Sequence, residues 1–273
     1  MFMSIKMSSP YAKSKLFIED NLTIIDKTGT EVPFQLNAIQ NKFVEQATGK
    51  DIILKARQQG FSSFILASFT KDFILKENSL SVVVADIADN ALDLLARVKH
   101  YIKSFEEKTN VKVPLKYNSK YELHNASNNA RYIIGTAERQ EFGRSKTITN
   151  LHFSEAAFYN HLDKMLAGAE SAVVPNGKVV IETTANGFNQ FKTFYDEASL
   201  GETPYTPHFF KASDFYDPEF LRQKKNTLGR LYVQEYPETA LEAFVTSGET
   251  YFDSEAMQYY LERAKDVPTL SRV

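Results

Sequence analysis

Cysteine is absent from all 273 residues, which excludes disulfide frameworks and thiol chemistry and fits a reducing compartment. Long hydrophobic runs are missing too. None approaches the roughly 20 residues of a membrane-spanning helix, and the N-terminus has no signal-peptide h-region. An excess of one charge sign is also lacking. Net charge is −2, so there is no global electrostatic footprint for nucleic acid, and any DNA contact must be a local patch or be built by oligomerisation. Internal repeats and low-complexity segments do not occur. What is present is an ordinary globular composition, 43% hydrophobic and 24% charged, long enough for one large domain or two smaller units. The expectation is a soluble intracellular protein without a membrane partner.

Residues 1–20 mix small and charged side chains and read as a flexible N-terminal arm. Leu22 to Phe34 alternate around Asp26-Lys27-Thr28-Gly29, a hairpin pattern. Asn37 to Ala47 is helical in period. From Ile52 onward, apolar strands alternate with amphipathic helices: strands at 52–54, 81–85, 147–153 and 178–183, helices at 62–77, 88–105, 163–172 and 189–199. An antiparallel pair is expected over 121–135. This rhythm predicts an α/β fold with a mostly parallel central sheet covered by helices on both faces. The core is expected over 21–204. Residues 205–273, with one strand at 208–211 and several prolines, read as a small lid subdomain packed on the sheet.

Asp51 to Ser63 has the strand–loop–helix form of a phosphate-binding loop, turning at Gly60. The lysine that normally follows the loop glycine is lacking, and Phe61 stands there. Lys55 and Arg57 instead bring positive charge in from the start of the loop. Gly60 permits φ > 0 and close backbone approach, helix-start amides favour an anion, and Ser62 can hold Mg²⁺ through its hydroxyl. A turn with solvated basic residues is the plain alternative. Strand 148–153 ends in Ser154-Glu155. Glu155 suits activation of a water beside a γ-phosphate, while Ser154 stands where an aspartate usually serves the metal. Equally, Glu155 is readable as a helix-start residue capped by Ser154.

Strand 179–182 ends in Thr183, Thr184, Asn186 and Gly187, polar groups able to sense phosphate loss at a strand-end crevice. Arg139, Arg144 and Lys146 lie on the loop before the acidic strand. Arg144 suits either transition-state phosphate, in cis or in trans, or DNA phosphate. Upstream, the amide of Gln40 can read both the donor and acceptor edge of adenine, or sit on a helix surface.

Taken together, these segments resemble the ATPase domain of the large terminase subunit of tailed bacteriophages, over roughly residues 20–260. Lys55-Ala-Arg-Gln-Gln-Gly-Phe-Ser-Ser63 is similar to that family's divergent phosphate loop, and Leu36-Asn-Ala-Ile-Gln40 to its adenine-reading glutamine motif. Leu151-His-Phe-Ser-Glu-Ala-Ala157 resembles its acidic strand, with Ser154 a departure. Glu182-Thr-Thr-Ala-Asn-Gly187 resembles its coupling motif. Tyr236-Pro-Glu-Thr-Ala-Leu-Glu-Ala-Phe244, Ser247-Gly248 and Phe252-Asp253 resemble the segment closing its ATPase region, the most specific of these matches.

The resemblance implies a P-loop NTPase fold and an ATP hydrolase using ATP and Mg²⁺. Its nucleotide set would be Gln40, Lys55, Arg57, Gln58, Gln59, Gly60, Phe61, Ser62 and Ser63. Glu155, Arg144 and Lys55 would be catalytic, Ser62 and Ser154 would serve the metal, and Thr183, Thr184 and Asn186 would couple hydrolysis to movement. Implied partners are double-stranded DNA, the portal of a procapsid and a small terminase subunit. A homo-oligomeric ring is implied on the capsid, with a monomer in isolation, in the host cytoplasm and transiently docked on the procapsid. The family's downstream nuclease domain does not fit before Val273, so no nuclease activity is expected of this chain. The rivals are a helicase-type DNA translocase and a non-hydrolysing nucleotide-binding interaction domain.

Overall fold

Strand 50–55 shows how the core is built. Ile53 faces one hydrophobic cluster, while Ile52 and Leu54 face another, and all three are fully buried. Val83 against Val82 and Val84, and Val180 against Val179 and Ile181, divide in the same way. The period-2 alternation of a strand thus feeds two cores, one on each sheet face, and the sequence shows an unbroken apolar run. A computed structural model describes residues 9–138, 146–245, 259, 260 and 263.

In chain order the elements are α1 (Ala12–Asn21), β1 (Thr23–Ile25), β2 (Glu31–Pro33), α2 (Ala38–Gln46), β3 (Lys50–Lys55), α3 (Phe61–Leu75), β4 (Leu80–Ala85) and α4 (Ala88–Thr109). There follow β5 (Leu115–Asn118), β6 (Glu122–Asn125), β7 (Arg131–Thr136), β8 (Ile148–Ser154), α5 (Leu162–Glu170), β9 (Val173–Thr183) and α6 (Gln190–Ser199). The tail holds β10 (Thr206–Phe210), α7 (Pro218–Leu228), α8 (Leu231–Glu235) and α9 (Ala240–Val245). The eight-stranded sheet runs β10-β3-β9-β8-β4-β7-β6-β5, parallel from β10 to β7, with β6 and β5 antiparallel at one edge. The mostly parallel α/β architecture expected from the strand–helix rhythm is therefore present. β5 is an addition, its four residues too short and polar to announce a strand.

Two expectations are corrected. Residues 12–21 do not form a flexible arm, because they make helix α1. Tyr11 and Ile18 are fully buried in the larger cluster, and Ser68 Oγ donates to Ser14 Oγ at 2.8 Å across the α1–α3 contact. The hydrophobic residues of α1 are few, but packing against α3 and α2 gives it the tertiary support that short helices need. The boundary expected after residue 204 also moves. β10 pairs in parallel with β3 from Thr206↔Asp51 to Phe210↔Lys55, so the tail begins as the sheet's edge strand. The rest of the tail is helical and follows Phe210, and α9 returns Ala243 and Phe244 to the core. It has its own aromatic cluster, in which Tyr216, Leu221 and Tyr236 pack with Ala56 of the phosphate loop.

Candidate active site

Strand order brings the chemistry together. β9 lies between β3 and β8, with Ile53 and Ser154 both in register with Glu182. The carboxyl ends of these three strands therefore present Lys55, Glu182 and Ser154-Glu155 side by side, the crevice where open parallel sheets bind ligands. Lys55 Nζ lies 3.1 Å from Glu182 Oε2 and 3.3 Å from Glu155 Oε1. Ser62 Oγ donates to Glu182 Oε1 at 2.6 Å, and Ser154 Oγ donates to the same oxygen at 2.9 Å. His152 Nε2 is 3.3 Å from it.

The electrostatics follow from burial. Lys55 and Glu182 are almost wholly enclosed, with side-chain exposures of 5% and 0%. Burial alone lowers the Lys55 pKa, but the Glu155 and Glu182 carboxylates overcome it and hold the ammonium above its ordinary value. Burial likewise pushes Glu182 up, and Lys55, His152 and Ser62 together bring it far below the ordinary carboxylate range. Glu155 goes the other way. Burial raises its carboxyl, the neighbouring Glu182 charge adds to the rise, and Lys55 offsets only part of it. Two carboxylates around one cation thus move in opposite directions, Glu182 down and Glu155 up.

Glu155 sits at φ 59°, in the left-handed region that a side-chain-bearing residue rarely adopts, at the entry to the short 3₁₀ turn Ala156–Phe158. It is not capped by Ser154, whose hydroxyl goes to Glu182 instead. Strain of this kind persists only where the surroundings hold it in place. Here Thr184 N donates to Glu155 Oε2 at 3.3 Å and Thr183 Oγ1 lies equally close. Asn186 Nδ2 donates to Ala157 O, just past Glu155. The segment Thr183–Asn186 and the acidic strand end are therefore one hydrogen-bonded unit.

In the phosphate loop, Gly60 takes φ 83° as the residue before α3, as its position demands. A Cβ there would also stand 2.9 Å from Gln40 Nε2. Phe61 is buried against Phe43 and Phe210, so its ring anchors the loop in the core. Gln58 is exposed at φ 55°. Gln59 is buried and donates to Lys211 O at 3.0 Å, and Ser63 O accepts from Tyr101 OH.

Two residues are placed differently from the sequence expectation. Gln40 is buried with both ends of its amide committed: Oε1 accepts from Asn37 N at 3.0 Å in a capping box, and Nε2 donates to Gly60 O at 2.8 Å. A buried amide must satisfy both groups, and here it fastens α2 to the loop rather than offering an edge to adenine. Arg57 lies apart from the Lys55 cluster. Its exposed guanidinium pairs with Glu235 of α8 at 3.1 Å, and its amide donates to Glu235 O. Arg139 and Arg144, together with Ser247-Gly248 and Phe252-Asp253, lie outside the described residues.

The residue that sequence reasoning missed is Glu182. It stood inside the quoted coupling motif without a role, yet it gathers Lys55, Ser62, Ser154 and His152 around one carboxylate. The available signal was a lone carboxylate closing the apolar run Val179-Val-Ile181. As for a metal, no group of three or more His, Cys, Asp and Glu side chains forms a cage among the described residues. The crevice does offer hydroxyl oxygens at Ser62 and Ser154. Such hard oxygen donors suit Mg²⁺, which takes much of its shell from water and substrate phosphates.

No known family model matches the sequence, and neither does any curated protein. Solved structures do. The large terminase of bacteriophage HK97 superposes with a TM-score of 0.61 at 16% identity, over 96% of this chain and 53% of that one. The ATPase domain of the Thermus phage P74-26 large terminase gives 0.54 at 16% identity, over 70% and 89%. A large terminase from a thermophilic bacteriophage, in complex with ATP-gamma-S, gives 0.52 at 12% identity, over 67% and 46%. The chain spans about half the length of the HK97 protein and of this nucleotide-bound one. Among the described residues no helix is long and apolar enough to cross a membrane. The chain has the P-loop α/β fold of phage large terminase ATPase domains.

Proposed function

We propose that this chain is the ATP-hydrolysing motor domain of a tailed-bacteriophage large terminase, driving double-stranded DNA into a procapsid. The observation that carries the reading is the convergence of Lys55, Ser62 and Glu155 on one crevice, joined by hydrogen bonds to the Thr183–Asn186 segment. Lys55 binds the β- and γ-phosphates, turning to them from the two carboxylates beside it. Ser62 serves Mg²⁺, with Ser154 on its water shell. That metal supplies charge neutralisation for the transferring phosphoryl group. Glu155, its carboxyl raised by burial and so a stronger base when ionised, orients the attacking water and accepts its proton.

Thr183, Thr184 and Asn186 pass loss of the γ-phosphate to the tail, from which Gln234 Nε2 reaches back by donating to Ala185 O at 3.2 Å. Arg144 is proposed as the phosphate-stabilising arginine, from this subunit or a neighbour. Ring assembly on a portal, a small terminase subunit that recognises DNA, and action in the host cytoplasm belong to the same reading. ATP turnover by the assembled, DNA-bearing ring tests it. Glu155→Ala is expected to abolish turnover and Lys55→Ala nearly so, and absence of turnover in the parent ring would sink the enzyme reading. The rival, a non-hydrolysing nucleotide-binding domain, draws its support from the uncharged Ser154.

A further inference from the structure

The crevice has a mismatch of charge. One enclosed cation, Lys55, faces two carboxylates, Glu155 and Glu182. A nucleotide entering this site brings more negative charge and competes for the same ammonium. If Lys55 turns to the phosphates, Glu182 is left as a fully buried carboxylate without its cation, a strongly unfavourable state. Its remaining neighbours are the Ser62 and Ser154 hydroxyls and the His152 ring, so a cation arriving with the ligand suits the vacated place. Ser154, where an aspartate would ordinarily attend the metal, has no charge to bring, but its hydroxyl points at Glu182. Ser62, the hydroxyl at the head of the phosphate-loop helix, points at the same carboxylate oxygen. Glu182 Oε1 is thus the point shared by both hydroxyls proposed to serve the metal.

We infer that Glu182 supplies, from the strand between the phosphate-loop strand and the acidic strand, the negative charge that position 154 lacks, and that it holds the divalent cation of a bound nucleotide when Lys55 leaves it. The assignment rests on the nucleotide-binding reading above and adds to it a residue and an exchange: one cation replaces another on the same buried carboxylate.

The test measures binding, not turnover. ADP affinity is determined with and without Mn²⁺ by titration calorimetry, with bound Mn²⁺ counted by electron paramagnetic resonance. In the parent chain Mn²⁺ tightens ADP binding. In Glu182→Gln, which keeps an acceptor for Ser62 and Ser154, that gain is expected to fall at least tenfold. Metal-free ADP affinity is expected to hold or rise, because Lys55 has one fewer competitor. Adding Ser154→Asp to Glu182→Gln restores the gain by returning the charge one strand over. Ser154→Asp alone gives no further gain, because the charge is already supplied. A full Mn²⁺ gain in Glu182→Gln would overturn the assignment. Should that variant not fold, a tenfold or larger gain from Ser154→Asp alone would overturn it equally. A parent chain that binds ADP neither with nor without Mn²⁺ removes the nucleotide reading, and this assignment with it.

Discussion

Arg57 and Glu235 meet twice. The backbone N–H of Arg57 donates to the Glu235 carbonyl at 2.9 Å, and the two side chains pair at 3.1 Å. The phosphate loop is therefore tied to α8 by main chain and by charge, and Tyr216 OH adds a bond to Arg57 O at 2.7 Å. Since the Arg57 side chain is 58% exposed, its ion pair is screened. Arg57→Ala is expected to cost no more than about 1 kcal/mol in chemical denaturation, and to weaken ADP binding far less than Lys55→Ala does. A loss of binding equal to that of Lys55→Ala would return Arg57 to the phosphates.

Lys55→Ala should harm the fold as well as the site. It leaves Glu155 and Glu182 facing each other without a cation, and breaking a buried pair in this way costs about 3–5 kcal/mol. Lys55→Ala with Glu182→Gln is expected to regain part of that stability in urea unfolding while nucleotide binding stays lost. Equal stability of the single and double variants would show that the Lys55–Glu182 pair does not contribute.

The Gly60–Gln40 contact predicts a coupled pair. Gly60→Ala forces a Cβ into left-handed backbone, worth about 1–2 kcal/mol, and against Gln40 Nε2. In a Gln40→Ala background the steric part disappears and only the backbone part remains. A double-mutant cycle should therefore give a smaller cost for Gly60→Ala when Gln40 is already Ala. Strict additivity would contradict the clamp between α2 and the loop.

Burial above all raises the Glu155 carboxyl above its ordinary 4.5. The ionised form is the base, so turnover should rise with pH along an acid limb lying above 4.5. Carbon-13 NMR of labelled glutamate carboxyls gives a direct check. Glu182→Gln removes a repelling charge and shifts Glu155 down, whereas Lys55→Gln removes an attracting one and shifts it up. The linked stability has a definite sign. A raised carboxyl favours the native state at low pH, and that contribution is lost as pH rises through the raised value. Glu182, with a lowered pKa, contributes above 4.5 and loses its contribution only in strong acid.

Helix α1 carries a prediction of its own. Ile18 is fully buried in the main core, so Ile18→Ala is expected to cost about 2–5 kcal/mol. Loss of well under about 1 kcal/mol in thermal or urea unfolding would restore the flexible arm.

The architecture was legible where its physics is local. Apolar runs such as Val82-Val-Val84 and Val179-Val-Ile181 can only be doubly buried strands, and Gly60 marked its own turn. Lys55, Ser62 and Glu155 were found because each ends or begins such an element. Glu182 was not, because its importance comes from strand order. β9 follows β8 in sequence but lies between β8 and β3 in the sheet, and no local pattern encodes that insertion. The commitment of Gln40 to Gly60 O is likewise a contact across 20 residues. α1 was hidden by its composition, since Ala-Lys-Ser-Lys-Leu-Phe-Ile-Glu-Asp-Asn has too few apolar residues to show a stripe. What makes it a helix is the surface waiting for it.

The placement of β9 between β3 and β8 also sets a gauge. Neighbouring strands stand about 4.8 Å apart, so the backbones of Ile53 and Ser154, both in register with Glu182, are spaced by two such intervals and fixed by the ladders of β9. Loop motion cannot widen or narrow that span without tearing the sheet. Lys55 and Glu182 both stand on that frame, so an exchange of partners between them is made by side chains turning on it. The helical tail is joined to that frame at two places, where Tyr216, Leu221 and Tyr236 pack on Ala56 and where Ala243 and Phe244 are buried in the core beside Phe191.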